Sequence, residues 1–310
     1  QTGILKSNIE TIIHHLVTLP ESFKPLSQIN RLLKNYKELT SQNKVDWAMA
    51  ELIAYGTLLQ EGKNVRISGQ DVKRGTFSHR HAYDAETNIE YNRVETIPNA
   101  PGRFYIYNSL LSEFGVLGFE YGYSLTSPDH LVIWEAQFGD FYNGAQTIVD
   151  QFIASAEAKW QRMSGLVMQL PHGYDGQGPE HSNARMERFL QMSADCNWSI
   201  CNVSTPANLF HALRRQVYRP FRKPLIVMSP KSLLRDGLCI SSIDDLITGT
   251  GFKETIDDTV SIKKVKKAIF CSGQIYYELY RRRESSKKDD LAIIRIEQLY
   301  PLAMNQIQAL

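Results

Sequence analysis

Apolar positions along the chain follow two rhythms that alternate. Short runs rich in β-favouring residues occur at Asn64 to Ile67, Phe104 to Tyr107, Leu131 to Trp134, Leu166 to Leu170, Trp198 to Val203 and Pro224 to Met228. Between most of them lie stretches with helical spacing: Ser112 to Leu125, Gly144 to Arg162, Asn183 to Asp195 and Pro206 to Tyr218. Apolar runs of strand length alternating with helices predict an α/β fold with a mainly parallel sheet covered on both faces. Ahead of this pattern, Ile9, Ile12, Ile13 and Leu16, then Ile29, Leu32, Leu33 and Tyr36, have the spacing of two amphipathic helices separated by Pro20 and Pro25. DWAMAELIAYGTLLQ predicts a richly apolar third helix that Gly62 ends.

From Gly69 to about Gly102 neither rhythm holds, which predicts a long loop of the kind that is usually functional. After Ser229 the signal weakens again through PKSLLRDG, SSIDDL and GTGFKE, and then a second α/β pattern begins. It reads as a strand at Val265 to Cys271, a helix at Gln274 to Arg283 and a strand at Leu291 to Ile296. The expected organisation is a helical connecting segment over 1–43, an α/β domain over 44–235, a linker over 236–262 and an incomplete α/β domain over 263–310. The chain starts without methionine and stops at NQIQAL, inside a pattern that reads as a continuing helix, so a piece of a longer polypeptide is expected.

Composition narrows the function classes. With 310 residues and 43% hydrophobic residues the chain can bury a sizeable core. A formal charge of +2 gives no global argument for a nucleic-acid or membrane partner. The basic cluster Lys263, Lys264, Lys266 and Lys267 has no interleaved aromatic platform and reads as a solvated face. Cys196, Cys201, Cys239 and Cys271 form no CxxC pair or regular framework, which predicts free thiols in a reducing compartment. No apolar run reaches the roughly 18 to 20 residues of a membrane span, and QTGILKSNIE lacks the form of a signal peptide.

Several common catalytic signatures are absent: GxGxxG after a strand, GxxxxGK[ST], GxSxG and HExxH. Four polar clusters remain, each behind a predicted strand. The first is GQDVKRGTFSHRHA, whose His79 and His81 could chelate a metal if extended, though no third ligand has a matching spacing. The second is SEFG, in which Glu113 stands among Leu110, Leu111, Phe114, Val116 and Leu117 at the start of a predicted helix. The third is EAQFGDFYNGAQ, carrying Gln137, Phe138 and Phe141. The fourth is LPHGYDGQGPEHS, where His172 and His181 lie on a Gly-rich loop and could exchange protons near neutral pH. The adjacent His14 and His15 point apart on a helix and read as packing or surface residues.

The phrases GQDVKRGTFSHRHA, NSLLSEFGVLGFEYG, WEAQFGDFYNGAQ, LPHGYDGQGPEHSNARMERFLQM, STPANLFHALRRQ and RKPLIVMSPKSLLR resemble the thiamine-diphosphate-dependent decarboxylating component of 2-oxoglutarate dehydrogenase. The resemblance runs from about Asn64 to Arg235, and VKKAIFCSGQIYYEL with IIRIEQLYPL resembles the start of that family's C-terminal, transketolase-like domain. It implies that residues 44–235 form a pyrimidine-binding domain, one of the two halves that clamp thiamine diphosphate.

In that reading Glu113 hydrogen-bonds a ring nitrogen of the aminopyrimidine. A carboxyl in an apolar setting keeps its proton more readily and can share it with the ring. By motif match, Phe141 is the candidate to stack on the pyrimidine, with Phe138 and Gln137 beside it and His181 of PEHS as the leading proton-transfer residue. His172 and His79 are candidates for the substrate carboxylates or the approach of a lipoyl arm. The implied reaction is decarboxylation of 2-oxoglutarate and transfer of the succinyl group to a lipoyl arm. The implied partners are dihydrolipoyl succinyltransferase and dihydrolipoyl dehydrogenase, with a homodimer expected and no nucleic acid or membrane.

The family's GDG motif, which holds the diphosphate through Mg²⁺, is missing, and Gly139-Asp140-Phe141 is no substitute. The metal half is therefore expected upstream, the segment alone is expected to be inactive, and no metal ligand is assigned within it. The location implied is bacterial cytoplasm or the mitochondrial matrix. The rival readings are a 2-oxoadipate dehydrogenase or a carboligase on the same scaffold and, from another class, a non-catalytic α/β interaction domain.

Overall fold

The computed structural model describes residues 1–76, 78–87, 89–260 and 262–309. Two helices, α1 (Lys6–Leu16) and α2 (Ser27–Ser41), lead into α3 (Trp47–Gln60), where Asp46 caps the first turn by accepting from the Met49 amide at 2.9 Å. Every residue of α3 from Trp47 to Leu59 is buried, because its apolar residues run all round rather than along one stripe. It packs between α1, the sheet and a later helix, α5 (Pro206–Tyr218).

The main sheet contains β1 (Val65–Gly69), β2 (Phe104–Asn108), β3 (Leu131–Glu135), β4 (Val167–Pro171), β5 (Ser199–Cys201) and β6 (Leu225–Ser229). All six expected strands are present to within a few residues, and their pairings are parallel. A seventh strand, β9 (Gln298–Tyr300), joins the edge antiparallel to β5, giving the order β9-β5-β6-β4-β3-β1-β2. The period of two in each strand sorts its side chains between two cores. Val65, Ile67, Ile133, Val167 and Val227 face the layer of α1, α3 and α5. Val132, Trp134, Met168, Ile226 and Met228 face the opposite layer, with Leu117, Tyr142, Phe189 and Trp198. Burial on both faces is why these strands read as near-continuous apolar runs.

The helix α4 (Glu113–Thr126) follows β2, with the Ser112 side chain accepting from the Gly115 amide at 3.2 Å. Two other expected helices are cut back. In place of Gly144 to Arg162 the chain makes a 3₁₀ run over Gly139–Ala145, a short turn, a π-turn over Val149–Ile153 and a helix over Ala156–Trp160. The Ser155 hydroxyl donates to the Asp150 carbonyl at 2.9 Å, competing with the regular backbone ladder. In place of Asn183 to Asp195 only Met186–Gln191 is helical. Asn183 Oδ1 accepts from the Arg185 amide at 2.6 Å and holds Arg185 at φ 53, outside the helix.

The expected long loop carries a small antiparallel ribbon, His81–Tyr83 with Glu90–Asn92. The stretch expected as a linker is folded onto the first core. Cys239, Ile243 and Leu246 are buried there, and Ser241–Ser242 pairs with Lys44–Val45. Its polar residues gave no rhythm because they serve as turns and bridges rather than as one element. Beyond it, β7 (Lys267–Cys271), α6 (Ile275–Ser286) and β8 (Leu291–Ile296) form a parallel βαβ unit, with Thr255–Ile256 antiparallel to β8. The chain then crosses into β9 and ends in a helix over Met304–Ala309.

At the joint, Glu297 is fully buried and accepts from the Ser204 amide at 2.8 Å, the Ser204 hydroxyl at 2.5 Å and Asn208 Nδ2 at 2.9 Å. His211 on α5 is also buried, with Nδ1 2.8 Å from Thr2 Oγ1 and Nε2 2.8 Å from the Asp245 carbonyl. Burial pushes its pKa down to about 4. Its folded pKa lies below its unfolded value, so the unfolded chain takes up a proton first as pH falls. Stability is therefore expected to drop between about pH 6.5 and pH 4, by roughly 3 kcal/mol for one such proton, and His211→Asn should flatten that slope in urea titrations.

Candidate active site

Strand order reverses at β1: β2 lies on one side of it and β3 on the other. The crevice outside the carboxyl ends of β1 and β3 is thus a topological switch point, the usual ligand position in open α/β sheets. Gly69-Gln70-Asp71 leaves β1 there, and Glu135-Ala136-Gln137-Phe138 leaves β3. A cavity of about 430 Å³ opens at this point, lined among others by Gln70, Glu135, Gln137, Phe138, His181 and Lys231. A second, narrow cleft shares Gln70, Glu135, Ala136 and Gln137 with it and has Glu113 on its far wall. A larger cavity of about 630 Å³ lies away from the switch point, between α5 and Gly249–Lys253.

Of the residues singled out in the sequence, Glu113, Gln137, Phe138 and His181 meet on these two connected walls. Phe138 packs edge-on against Phe141, with centroids 5.2 Å apart and planes at 87°, and against the His181 ring at 4.5 Å. The turn carrying Phe138 and Phe141 is tied to the histidine loop by Asp140. Its carboxylate accepts from the Ser182 hydroxyl at 2.9 Å and from the Asn183 amide at 3.1 Å. Gly139 permits the close approach, since a Cβ there would run into the Pro171 carbonyl at the end of β4. Gly176, at φ +123, lets the same loop fold back over His181.

Glu113 differs from its sequence expectation. Its carboxylate accepts from Gln70 Nε2 at 3.1 Å, but Leu110, Leu111 and Phe114 around it are 84%, 81% and 51% exposed. An apolar setting is not closed around Glu113 by this chain. Of these apolar neighbours Leu117 is buried and Val116 is half-buried against the core, while Leu110, Leu111 and Phe114 form an open collar.

His172 and His79 do not line the cavity. The His172 amide donates to the Ser229 carbonyl at 2.9 Å, and its Nδ1 accepts from the Ala184 amide at 3.1 Å, so the ring braces the loop while burial lowers its pKa. His79 is buried behind the site, with Nε2 3.2 Å from Glu51 Oε1. Glu51 also accepts from Arg80 Nε at 2.7 Å, and Arg80 holds Glu135 through two bonds at 2.8 and 2.5 Å. Burial would raise the Glu51 carboxyl, but Arg80 and His79 overcome that and hold it below the ordinary range. His79 is linked to the cavity wall through Glu51, Arg80 and Glu135 and lies behind Gly75. His81 is turned to Glu90, with Nδ1 3.7 Å from Oε1, so the two histidines do not converge. Among the described residues no three His, Cys, Asp or Glu side chains are grouped to hold a metal ion. The four cysteines are free thiols.

Lys231 was missed in the sequence. Its only signal was its place behind a predicted strand, in SPK, like the other polar clusters.

The transketolase pyrimidine-binding domain profile matches residues 43–237. The chain belongs to that family. The profile of the 2-oxoglutarate dehydrogenase C-terminal region matches residues 240–310. Among similar curated proteins, the 2-oxoglutarate dehydrogenase E1 component of Haemophilus influenzae is 50% identical over 96% of this chain and 32% of its own length. The mitochondrial 2-oxoglutarate dehydrogenases of Caenorhabditis elegans and Saccharomyces cerevisiae are each 46% identical over 99% of this chain and 33% of their own lengths. This pyrimidine-binding chain thus spans about a third of the length of the curated relatives it matches. Its mainly parallel sheet, with the switch point at β1 and β3, is the α/β architecture the sequence led us to expect.

Proposed function

We propose that this chain is the pyrimidine-binding part of a 2-oxoglutarate dehydrogenase decarboxylating component. The observation that carries the reading is the shared wall at the switch point: Glu113 opens on one side of Gln70, Glu135 and Gln137, and Phe138 and His181 open on the other. The residues present fit the pyrimidine half of thiamine diphosphate. Among the described residues the Glu113 carboxylate has one hydrogen-bond partner, which leaves spare acceptor capacity, and the exposed Leu110, Leu111 and Phe114 offer apolar cover for a flat ring. When bound, thiamine diphosphate supplies the electron sink for loss of CO₂ from a 2-oxo acid.

In this reading Glu113 holds a proton at a pyrimidine nitrogen, and Phe141 packs on the ring. His181 moves a proton on the substrate side, where Phe138 fixes its plane. Gln137 lines both walls and orients the bound group, while His172 braces the histidine loop. We assign the Mg²⁺ and diphosphate ligands to the additional length of the relatives, and the cover over Leu110 and Leu111 to a second copy in a homodimer. Residues 1–310 alone are then inactive. Transfer of the succinyl group to the lipoyl arm of dihydrolipoyl succinyltransferase, with dihydrolipoyl dehydrogenase completing the complex, follows from the same reading, in bacterial cytoplasm or mitochondrial matrix.

The test is CO₂ release by the full-length protein with thiamine diphosphate and Mg²⁺. Turnover of 2-oxoglutarate well above that of 2-oxoadipate is expected. A preference for 2-oxoadipate would move the chain to that activity, and failure to bind the cofactor would leave an interaction domain.

A further inference from the structure

Between Pro171 and Ala184 no residue is buried, yet this loop carries His181 to the cavity wall. Gly173 and Gly178, at φ +119 and +95, add backbone freedom to it. Packing therefore does little to place His181, and polar anchors must do so. Within the loop the Asp175 amide donates to the His181 carbonyl at 3.1 Å and the Tyr174 amide to the Ser182 carbonyl at 2.8 Å. These bonds give the loop its shape but not its position. From outside, Gln274 Nε2 donates to the Gly173 carbonyl at 2.7 Å, eight residues before the histidine, and Lys231 Nζ lies 3.4 Å from His181 Nδ1. The anchor beside the ring is Asp140. Its carboxylate accepts from the Ser182 hydroxyl at 2.9 Å and the Asn183 amide at 3.1 Å, the two residues that follow His181.

Asp140 is 8% exposed and stands between Phe138 and Phe141 on a separate element. Phe138 rests edge-on against both Phe141 and the His181 ring. The contacts close on themselves, running from turn to loop through Asp140 and from loop back to turn through His181 on Phe138. Burial lowers the pKa of His172 and of Lys231, and the charge of Asp140 opposes that at both, ahead of Asp175 and Glu180 in the case of Lys231. One buried carboxylate thus serves four groups around His181.

We propose that Asp140 is the positioning residue for His181, fixing the loop that carries the proton-transfer ring against the turn that carries Phe138 and Phe141. The inference rests on the functional reading above and deepens it by naming the group through which His181 is set. Asp140 does not itself line the cavity, so it acts through the loop. Hydrogen bonds to a carboxylate are strong, which suits the anchor of a loop without a core of its own. Both donors reach Oδ1, at 2.9 and 3.2 Å, so an amide oxygen in the same place can keep them.

The experiment measures CO₂ release from 2-oxoglutarate by the full-length protein with thiamine diphosphate and Mg²⁺. It compares wild type, Asp140→Ala, Asp140→Asn, His181→Gln and the double variant of Asp140→Ala with His181→Gln. Asp140→Ala is expected to lower kcat by about 10- to 100-fold, the scale of a displacement of about 1 Å, with KM within about 3-fold. Asp140→Asn should stay within about 5-fold of wild type, since it keeps the acceptor and loses the charge. In the His181→Gln background Asp140→Ala should cost less than about 3-fold, because a residue acting through His181 has nothing left to position. Losses that multiply in the double variant overturn the proposal and leave Asp140 as a general structural clip. Amide exchange in the protein without cofactor gives an independent reading. Exchange over residues 172–185 should rise in Asp140→Ala and stay near wild type in Asp140→Asn, and unchanged exchange in Asp140→Ala also overturns the proposal. A wild type that releases no CO₂ refutes the functional reading instead, while exchange still decides whether Asp140 holds the loop. If Asp140→Ala does not fold, Ser182→Ala removes the 2.9 Å bond, keeps the carboxylate and carries the same comparisons.

Discussion

Glu113→Gln in the full-length protein is expected to lower 2-oxoglutarate decarboxylation by about 10²- to 10⁴-fold, the range of a lost proton-transfer contribution. The substitution is nearly isosteric. The Gln70 side chain can still donate to an oxygen at position 113, and the Ser112 cap on Gly115 is untouched. A purely structural role for Glu113 sets a different scale. As the first residue of α4 its charge favours the helix N-terminus by about 0.3–1 kcal/mol, which would shift the melting temperature slightly and leave kcat alone. CO₂ release measured beside thermal unfolding separates the two. A variant with wild-type kcat and a slightly lowered melting temperature would remove Glu113 from the chemistry.

The second large effect lies behind the cavity. Arg80→Met is expected to destabilise the fold by about 3–5 kcal/mol, because it strands charges rather than merely deleting a bond. Glu51 is buried in α3, and Arg80 reaches it through Nε while the two ends of its guanidinium hold Glu135. Arg80→Lys should not rescue, since one ammonium cannot span both carboxylates. The pH dependence has a definite sign. In the wild type the Glu51 carboxyl sits below its ordinary range, so its contribution is present above the unfolded pKa and is lost as pH falls toward the folded one. In Arg80→Met burial acts with less opposition, the folded pKa moves up, and the penalty on the charged form fades on acidification. The gap between wild type and variant in urea denaturation should therefore narrow from pH 7 toward pH 4. A gap that widens would show that Arg80 does not compensate Glu51.

The first prediction concerns a carboxylate that the sequence singled out, and the second turns on Glu51, which it did not. Glu113 and Glu51 are each a carboxylate on an apolar helix, and the expectation of a closed apolar setting went to Glu113. The structure gives that setting to Glu51, where helix, sheet and ribbon converge, and leaves Glu113 at an open collar. The histidines divide in the same way. His181 reaches the cavity wall because the Gly-rich loop folds back over Phe138. His79 is turned inward because Glu51, on another element, lies behind it.

The sequence by itself determined the six parallel strands, the apolar α3 and the polar strand ends. These depend on local periodicity and on burial of both sheet faces, which leave near-continuous apolar runs. Helix length was less legible where side chains compete with the backbone, as Ser155 and Asn183 do. Only the tertiary structure decided which side chains share a wall. The crossover after β2 puts the ends of β1 and β3 side by side and so brings Gln70 and Gln137 together, while Lys231 reaches the same cavity from the end of β6, which pairs with β4. Strand order is set by packing between elements, and no period within one element records it.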